Sequence, residues 1–438
     1  MELLVFYIEA NYQRREIMKK VLAIVLAAVM VLSLAACGGG GGGTTTGKIP
    51  HDQITHVLEG KEETTYHDFV DGKCTRCAET TIFRQEPMYK SPEILFTEQA
   101  QQGTIEYFWY PTEAYCVERK YASQTGDNSY EGKLHIMKRA FIYLPYGYDP
   151  NRAEPYNVMF MMHGNKLNEG YWFANGFYKP TDSNFTNGYG TDNMLDYMYM
   201  NEDIEDTLFV AMTMYQYYGG TMHEDWVQGP GKAEDSVAVY TGNDTEQDNA
   251  YSGFIDPNYP VCEDFPWYMK KGGDYEGLDS YWWMEFQYGL YPYVIENYNV
   301  YAKEATDEAM KAARDHVGIS GLSRGGSSVN CVALNCLEYV SWFAYQSTGQ
   351  PGTAQQENFK AKANEYPVNY VFVSSGSEEG PVGGDAGMLK VRDNMGWSEG
   401  SDLAGGDKIC YITVNGTAHN YATWITNLWN QNLIFFKK

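Results

Sequence analysis

Short, almost wholly apolar runs alternate along this chain with longer stretches of helical spacing, and that alternation restricts the fold more than any other feature. The runs are "RAFIYLP" (139–145), "YNVMFMMHG" (156–164), "LFVAMTM" (208–214), "HVGIS" (316–320), "VNYVFVSSG" (368–376) and "KICYITVNG" (408–416). Between them lie "NMLDYMYMN", "WWMEFQYGLYPYVIENY", "SSVNCVALNCLEYVSWF" and "NYATWITNLWNQNLIFF", each read as one helix from the spacing of its apolar residues. A strand that is apolar on both faces must be covered on both. Such strands separated by helices predict an α/β fold, a mostly parallel sheet with helices on both faces. Sheets of this kind carry their chemistry at the carboxyl ends of the strands.

Four of those ends carry reactive residues. His163-Gly164-Asn165 follows the second run, and Gly321-Leu322-Ser323-Arg324-Gly325 follows the fourth. Ser377-Glu378-Glu379 follows the fifth, and Thr417-Ala418-His419 follows the sixth. Gly-x-Ser-x-Gly alone is a weak signal, because glycine and serine favour turns for conformational reasons. The order serine, acid, histidine is more informative, since it is the order of α/β-hydrolases and not of chymotrypsin-like or subtilisin-like enzymes. The histidine follows by elimination, because His419 is the only one beyond Ser323. Ser323 is then the expected nucleophile, on a tight strand-to-helix turn where Gly321 and Gly325 leave room for the bend. His419 is the expected base, and the backbone N–H groups of Arg324 and of the turn at Asn165 are the expected oxyanion donors.

At this point the chain resembles a known family. "RAFIYLPYGYDP", "MMHG", "LYPYVIENY", "GLSRGG" and "NGTAHNY", in that order, look like the bacterial feruloyl and acetylxylan esterases of carbohydrate esterase family 1. The likeness runs over roughly 104–438 and takes in an upstream β segment, "GTIEYFWYPTEAY". It implies the α/β-hydrolase fold, ester hydrolysis without a catalytic cofactor, and plant cell-wall polysaccharide esters as substrates. The family commonly carries Gly-Thr-x-Asp where this chain has Gly376-Ser377-Glu378-Glu379, so the likeness places Glu379 at the aspartate. Glu378 and Asp385 are the alternatives. Neighbouring residues leaving a strand point to opposite sides, so only one of the two glutamates should face His419. Two further departures are Arg324, where the family often has an apolar or amide side chain, and Asn165, where a second glycine is usual.

The domain plan follows. "MKKVLAIVLAAVMVLSLAAC" (18–37) has the basic start, apolar run and small residues of an export signal, and residues 1–17 read as untranslated sequence before the true start. Leu34-Ala35-Ala36-Cys37 resembles a bacterial lipobox, which implies lipidation of Cys37 and an anchored protein on the outer face of the cell membrane. Residues 38–50 form a glycine- and threonine-rich tether. Within a small module at 51–82, His56, His67, Cys74 and Cys77 offer a structural zinc site. A disulfide between Cys74 and Cys77 competes with it in an exported protein. Cys331 and Cys336 are expected to be buried thiols, and Cys116, Cys262 and Cys410 are left open. The esterase domain occupies 83–438, with an aromatic insertion at 215–280 that is read either as a lid or as a surface loop.

A net charge of −25 argues against nucleic acid as a partner. The 38 tyrosines and 10 tryptophans suit stacking on sugars and phenolic groups as well as core filling. Nothing in the pattern sets an oligomeric state. The leading expectation is a surface-anchored serine esterase acting on feruloyl or acetyl esters of xylan. Two others compete: a catalytically weak, polysaccharide-binding surface lipoprotein, whose cue would be an acid unable to reach His419, and an esterase for siderophores or thioesters on the same fold.

Overall fold

The structure is a computed structural model. It describes, with side chains, most of residues 94–437, apart from 165–166, 168, 174–189, 215–252, 257, 261–280, 349–352, 380–384 and 415. Side chains of 253–255, 353–356 and 385–389 are also outside the description, as is everything before 93 except the backbone of four short strands. Those strands form two antiparallel ladders, β1 (Gln53–Leu58) with β2 (Lys61–Tyr66) and β3 (Phe69–Val70) with β4 (Lys73–Cys74). His56 and Cys74 lie on them, but their side chains, like His67, Cys77 and Cys37 altogether, fall outside the described residues.

The main sheet has ten strands. They are β5 (Thr104–Glu113), β6 (His135–Leu144), β7 (Asn157–Met162), β8 (Thr207–Met212), β9 (Gly253–Ile255), β10 (Val317–Leu322), β11 (Trp342–Gln346), β12 (Tyr370–Gly376), β13 (Ser398–Glu399) and β14 (Asp407–Val414). Their spatial order is β13-β14-β12-β11-β10-β7-β8-β6-β5, with β9 paired to β6. Every pairing from β13 to β8 is parallel, whereas β6 is antiparallel to β5, β8 and β9. Since β6 runs the other way, its first residues lie towards the carboxyl end of its neighbour β8. This is the mostly parallel sheet expected from the alternation, in the α/β-hydrolase arrangement that the resemblance implies.

Both faces are covered, which is why the strand runs are apolar throughout. Along β7, Val158, Phe160 and Met162 enter one core with Trp282, Leu290, Val329 and Val332. Met159 and Met161 enter the opposite core with Met194, Leu195, Trp424 and Leu428. Each fully buried side chain of this size stabilises the fold by about 1.5–3 kcal/mol. The helix Trp282–Glu285 continues through a π-helical turn, Phe286–Leu290, into Tyr291–Asn297. That turn sets Gly289 against β5, where a Cβ would stand 2.7 Å from Thr112 Oγ1.

One expectation needs correction. "SSVNCVALNCLEYVSWF" is not one helix: the helix Gly325–Asn335 ends and Trp342–Gln346 begins β11. A strand buried on both faces has no alternation, so periodicity cannot distinguish it from buried helix. Within the insertion at 215–280, Gly253–Ile255 pairs with Lys138–Ile136 of β6. The rest of that stretch lies mainly outside the described residues. Cys116, Cys331, Cys336 and Cys410 are buried thiols. Burial pushes the Cys336 thiol well above its usual range and that of Cys410 up to about 12. Cys262 lies outside the described residues.

Candidate active site

The carboxyl ends of the parallel strands bring together residues almost a hundred positions apart. Ser323 follows β10 directly, on the bend before the helix Gly325–Asn335, with φ 51°. A side chain in this left-handed region is strained by about 1–2 kcal/mol, and only surrounding structure can hold it there. Its N–H donates to the Gln346 carbonyl at 2.8 Å, and its carbonyl accepts from Gly326 N–H at 3.0 Å. The two elbow glycines have no space to be anything else. A Cβ on Gly321 would lie 2.3 Å from the Gly325 oxygen, and one on Gly325 would lie 2.5 Å from the His163 oxygen.

His419 follows β14, where Asn420 caps the helix Tyr421–Asn432 by accepting from Thr423 N–H. Trp424, one turn into that helix, meets the His419 ring edge-on at 5.1 Å between centroids. The imidazole Nε2 is 2.8 Å from Ser323 Oγ, and Nδ1 is 2.9 Å from Glu379 Oε2. Glu379 Oε1 also accepts from Ser347 Oγ at 2.5 Å and from Gly376 N–H at 2.7 Å. Three donors therefore converge on a carboxylate whose side chain is 1% exposed, against 46% for His419. With Nδ1–H committed to the carboxylate, Nε2 is left to accept the serine proton.

Glu378 points to solvent, its N–H donating to the Thr417 carbonyl at 2.8 Å. Asp385 begins the helix Asp385–Met395, with its side chain outside the described residues. The cue for a non-catalytic binding protein, an acid out of reach of His419, is thus absent from this geometry. Arg324 occupies the first position after the nucleophile, in helical conformation ahead of Gly325. Asn165 lies outside the described residues, but the turn that leads to it does not. Gly164 lies against the nucleophile, where a Cβ would be 2.7 Å from Leu322 Cδ1 and 3.2 Å from Ser323 Cβ.

The sequence did not disclose Ser347 or Thr213. Ser347 follows β11, the strand hidden inside an expected helix, has a φ of 50°, and donates its hydroxyl to Glu379. Thr213 follows β8 and contacts His163 Nε2 at 2.8 Å, while His163 Nδ1 contacts the Gly164 carbonyl at 2.6 Å. Burial holds the His163 imidazole down at about 4, helped by the positive charges of Lys138 and Arg324 and opposed by the Gly164 hydrogen bond and Glu169. It is therefore neutral at physiological pH. Among the described residues no group of three or more His, Cys, Asp or Glu is arranged to hold a metal ion.

Fold and constellation together define an α/β-hydrolase with a serine–histidine–carboxylate site. No family model matches the chain. The chain is similar to endo-1,4-beta-xylanase Y of Acetivibrio thermocellus, 27% identical over 210 residues, which is 48% of this chain and 13% of that protein. It also shares its fold with the feruloyl esterase module of Clostridium thermocellum, solved as a serine-to-alanine mutant complexed with sinapinate. There the TM-score is 0.51 at 21% identity, over 82% of this chain and 95% of the other. A structure described as FAE aligns equally well, with a TM-score of 0.52 at 22% identity and the same coverage.

Proposed function

We propose that the protein is a surface-anchored serine esterase that hydrolyses feruloyl or acetyl esters on plant xylan. The observation that carries this is the unbroken set of contacts from Ser323 Oγ through the His419 ring to Glu379, set on a strained elbow. The xylanase relative and the feruloyl esterase module support the substrate class.

Ser323 Oγ attacks the ester carbonyl as its proton passes to His419 Nε2, and Glu379 stabilises the resulting imidazolium. The oxyanion takes the N–H of Arg324 and one from the turn after β7; loss of one such donor typically costs about 3 kcal/mol of transition-state stabilisation. His419 returns its proton to the departing sugar hydroxyl. Water then attacks the acyl-serine by the same route in reverse, releasing the carboxylic acid and Ser323. Side chains, backbone amides and water suffice for every step.

Anchoring through Cys37 and its tether would hold the site at the cell exterior, and loss of membrane partition in a Cys37→Ser protein tests it. Zinc at His56, His67, Cys74 and Cys77 is decided against a disulfide by metal analysis with thiol titration. A panel of nitrophenyl acetate, methyl ferulate and acetylated xylan tests the activity. Release of ferulate or acetate is the expected result. Activity confined to thioesters or siderophore esters would move the assignment elsewhere on the same fold.

A further inference from the structure

The strand order sets the end of β11 between the nucleophile, which follows β10, and the acid, which follows β12. The three strands run in parallel register, with Leu322 beside Gln346 and Gln346 beside Ser374. One peptide group, Gln346–Ser347, therefore meets both neighbours. Its carbonyl accepts from Ser323 N–H at 2.8 Å, and its N–H donates to the Ser374 carbonyl at 2.7 Å. A peptide group is planar, so these two bonds fix its orientation against both strands. Ser347 then leaves β11 with φ 50°, close to the 51° at Ser323. That conformation strains any residue with a Cβ and is free of strain for glycine. The bend alone would be better served by glycine, so what the serine adds is its hydroxyl.

That hydroxyl goes to the acid. Ser347 is buried, and its Oγ donates to Glu379 Oε1 at 2.5 Å, the oxygen that Gly376 N–H also reaches at 2.7 Å. The other oxygen, Oε2, is 2.9 Å from His419 Nδ1. An ionised carboxylate only accepts, so its two oxygens divide the work: one is anchored to the strand ends and the other faces the imidazole. The Gly376 bond comes from within the acid's own turn. The Ser347 bond comes from the neighbouring strand, 32 positions away in sequence. It ties the carboxylate to the same peptide group that holds Ser323 N–H. A glutamate side chain has many rotamers to lose on ordering, and a buried donor on one oxygen restricts where the other can point.

We propose that Ser347 is a positioning residue for ester hydrolysis: its hydroxyl holds Glu379 so that Oε2 meets His419 Nδ1 while the imidazole takes and returns the Ser323 proton. The inference rests on the esterase reading of Ser323. Removing the hydroxyl leaves the anchored oxygen with the Gly376 N–H and lets the carboxylate turn away from the ring. The imidazolium that forms in the transition state then loses part of its counter-charge, whereas substrate binding is spared. A hydrogen bond to a charged group typically corresponds to a factor of about ten to a hundred.

The test is steady-state hydrolysis of nitrophenyl acetate and methyl ferulate by the full chain carrying Ser347→Gly or Ser347→Ala. Glycine keeps the bend and relieves it, so a loss in that variant is a loss of the hydroxyl. Both variants should lower kcat roughly ten- to a hundredfold with KM within about twofold. In a Glu379→Ala background no carboxylate is left to hold, and Ser347→Gly should change kcat by less than about twofold. With an active wild type, full kcat in Ser347→Gly, a loss confined to KM, or an equal loss in both backgrounds overturns the inference alone. A wild type without esterase activity overturns the esterase reading and the inference with it. Should Ser347→Ala not fold, Ser347→Gly, unstrained at this φ, decides by itself.

Discussion

The two sides of the site are built differently. On the side of β10, β12 and β14, each reacting residue follows its own strand, and the base stays open to solvent, with His419 46% exposed. On the side of β6, β7 and β8, the polar groups come from residues far apart in sequence and are sealed: Lys138, His163, Thr213 and Glu285 have no exposed surface. Groups that exchange protons with substrate and water must remain reachable. Groups that only hold the backbone gain from the low dielectric, where each hydrogen bond is stronger and an unmatched one is costly. Even within the triad the same division appears, since Glu379, which only holds the imidazole, is buried while His419 is open to solvent.

The comparison can be broken most severely on the open side. Ser323→Ala and His419→Ala should each lower kcat by about six orders of magnitude with an unchanged unfolding transition, as triad members act as a unit. Retained turnover in either purified variant would remove the site from the strands' carboxyl ends. Next comes the acid: Glu379→Gln should cost a factor of about 10⁴ in kcat, since the amide can no longer hold the imidazolium. Glu378→Gln should stay within about twofold, and reversed effects would show that the solvent-facing glutamate moves in.

On the sealed side the effects fall on stability first. Lys138→Met leaves Glu285 buried without its cation, and urea unfolding should record a loss of about 3–5 kcal/mol. A cost below about 1 kcal/mol would mean that the pair is not sealed from water. The smallest effect concerns pH. His163 binds its proton near pH 4 in the folded chain instead of its usual 6.5. Between those values the unfolded chain holds more protons, so this histidine makes stability fall as pH drops from about 6.5 to 4, by about 3 kcal/mol in all. A His163→Gln protein should show a shallower acid limb in its unfolding free energy over that window. An identical limb would place the proton elsewhere.

The division between the two sides also governs what could be read in the sequence. Ser323 and His419 were legible because each stands just past an apolar run, with strand order and the uniqueness of His419 beyond Ser323 doing the rest, whereas Glu379 was set apart from Glu378 and Asp385 only by the family resemblance. Ser347 was hidden with β11, whose apolar residues continue those of the preceding helix without a change of period. The contacts among Tyr110, Lys138 and Glu285 span up to 175 positions, and no local pattern marks a lysine that the fold will bury. Lys138 and Arg139 are adjacent on β6, yet each finds its own buried carboxylate, Glu285 and Glu169. In the sequence they read as the polar start of a strand.

The central claim is that Ser323 is a nucleophile activated by His419. Treatment of the full chain with a fluorophosphonate, followed by intact mass measurement and peptide mapping, tests it most directly. The account predicts a single adduct on Ser323 that is lost in Ser323→Ala and slowed by orders of magnitude in His419→Ala. No adduct, or one on another residue at the same rate in all three proteins, would contradict it.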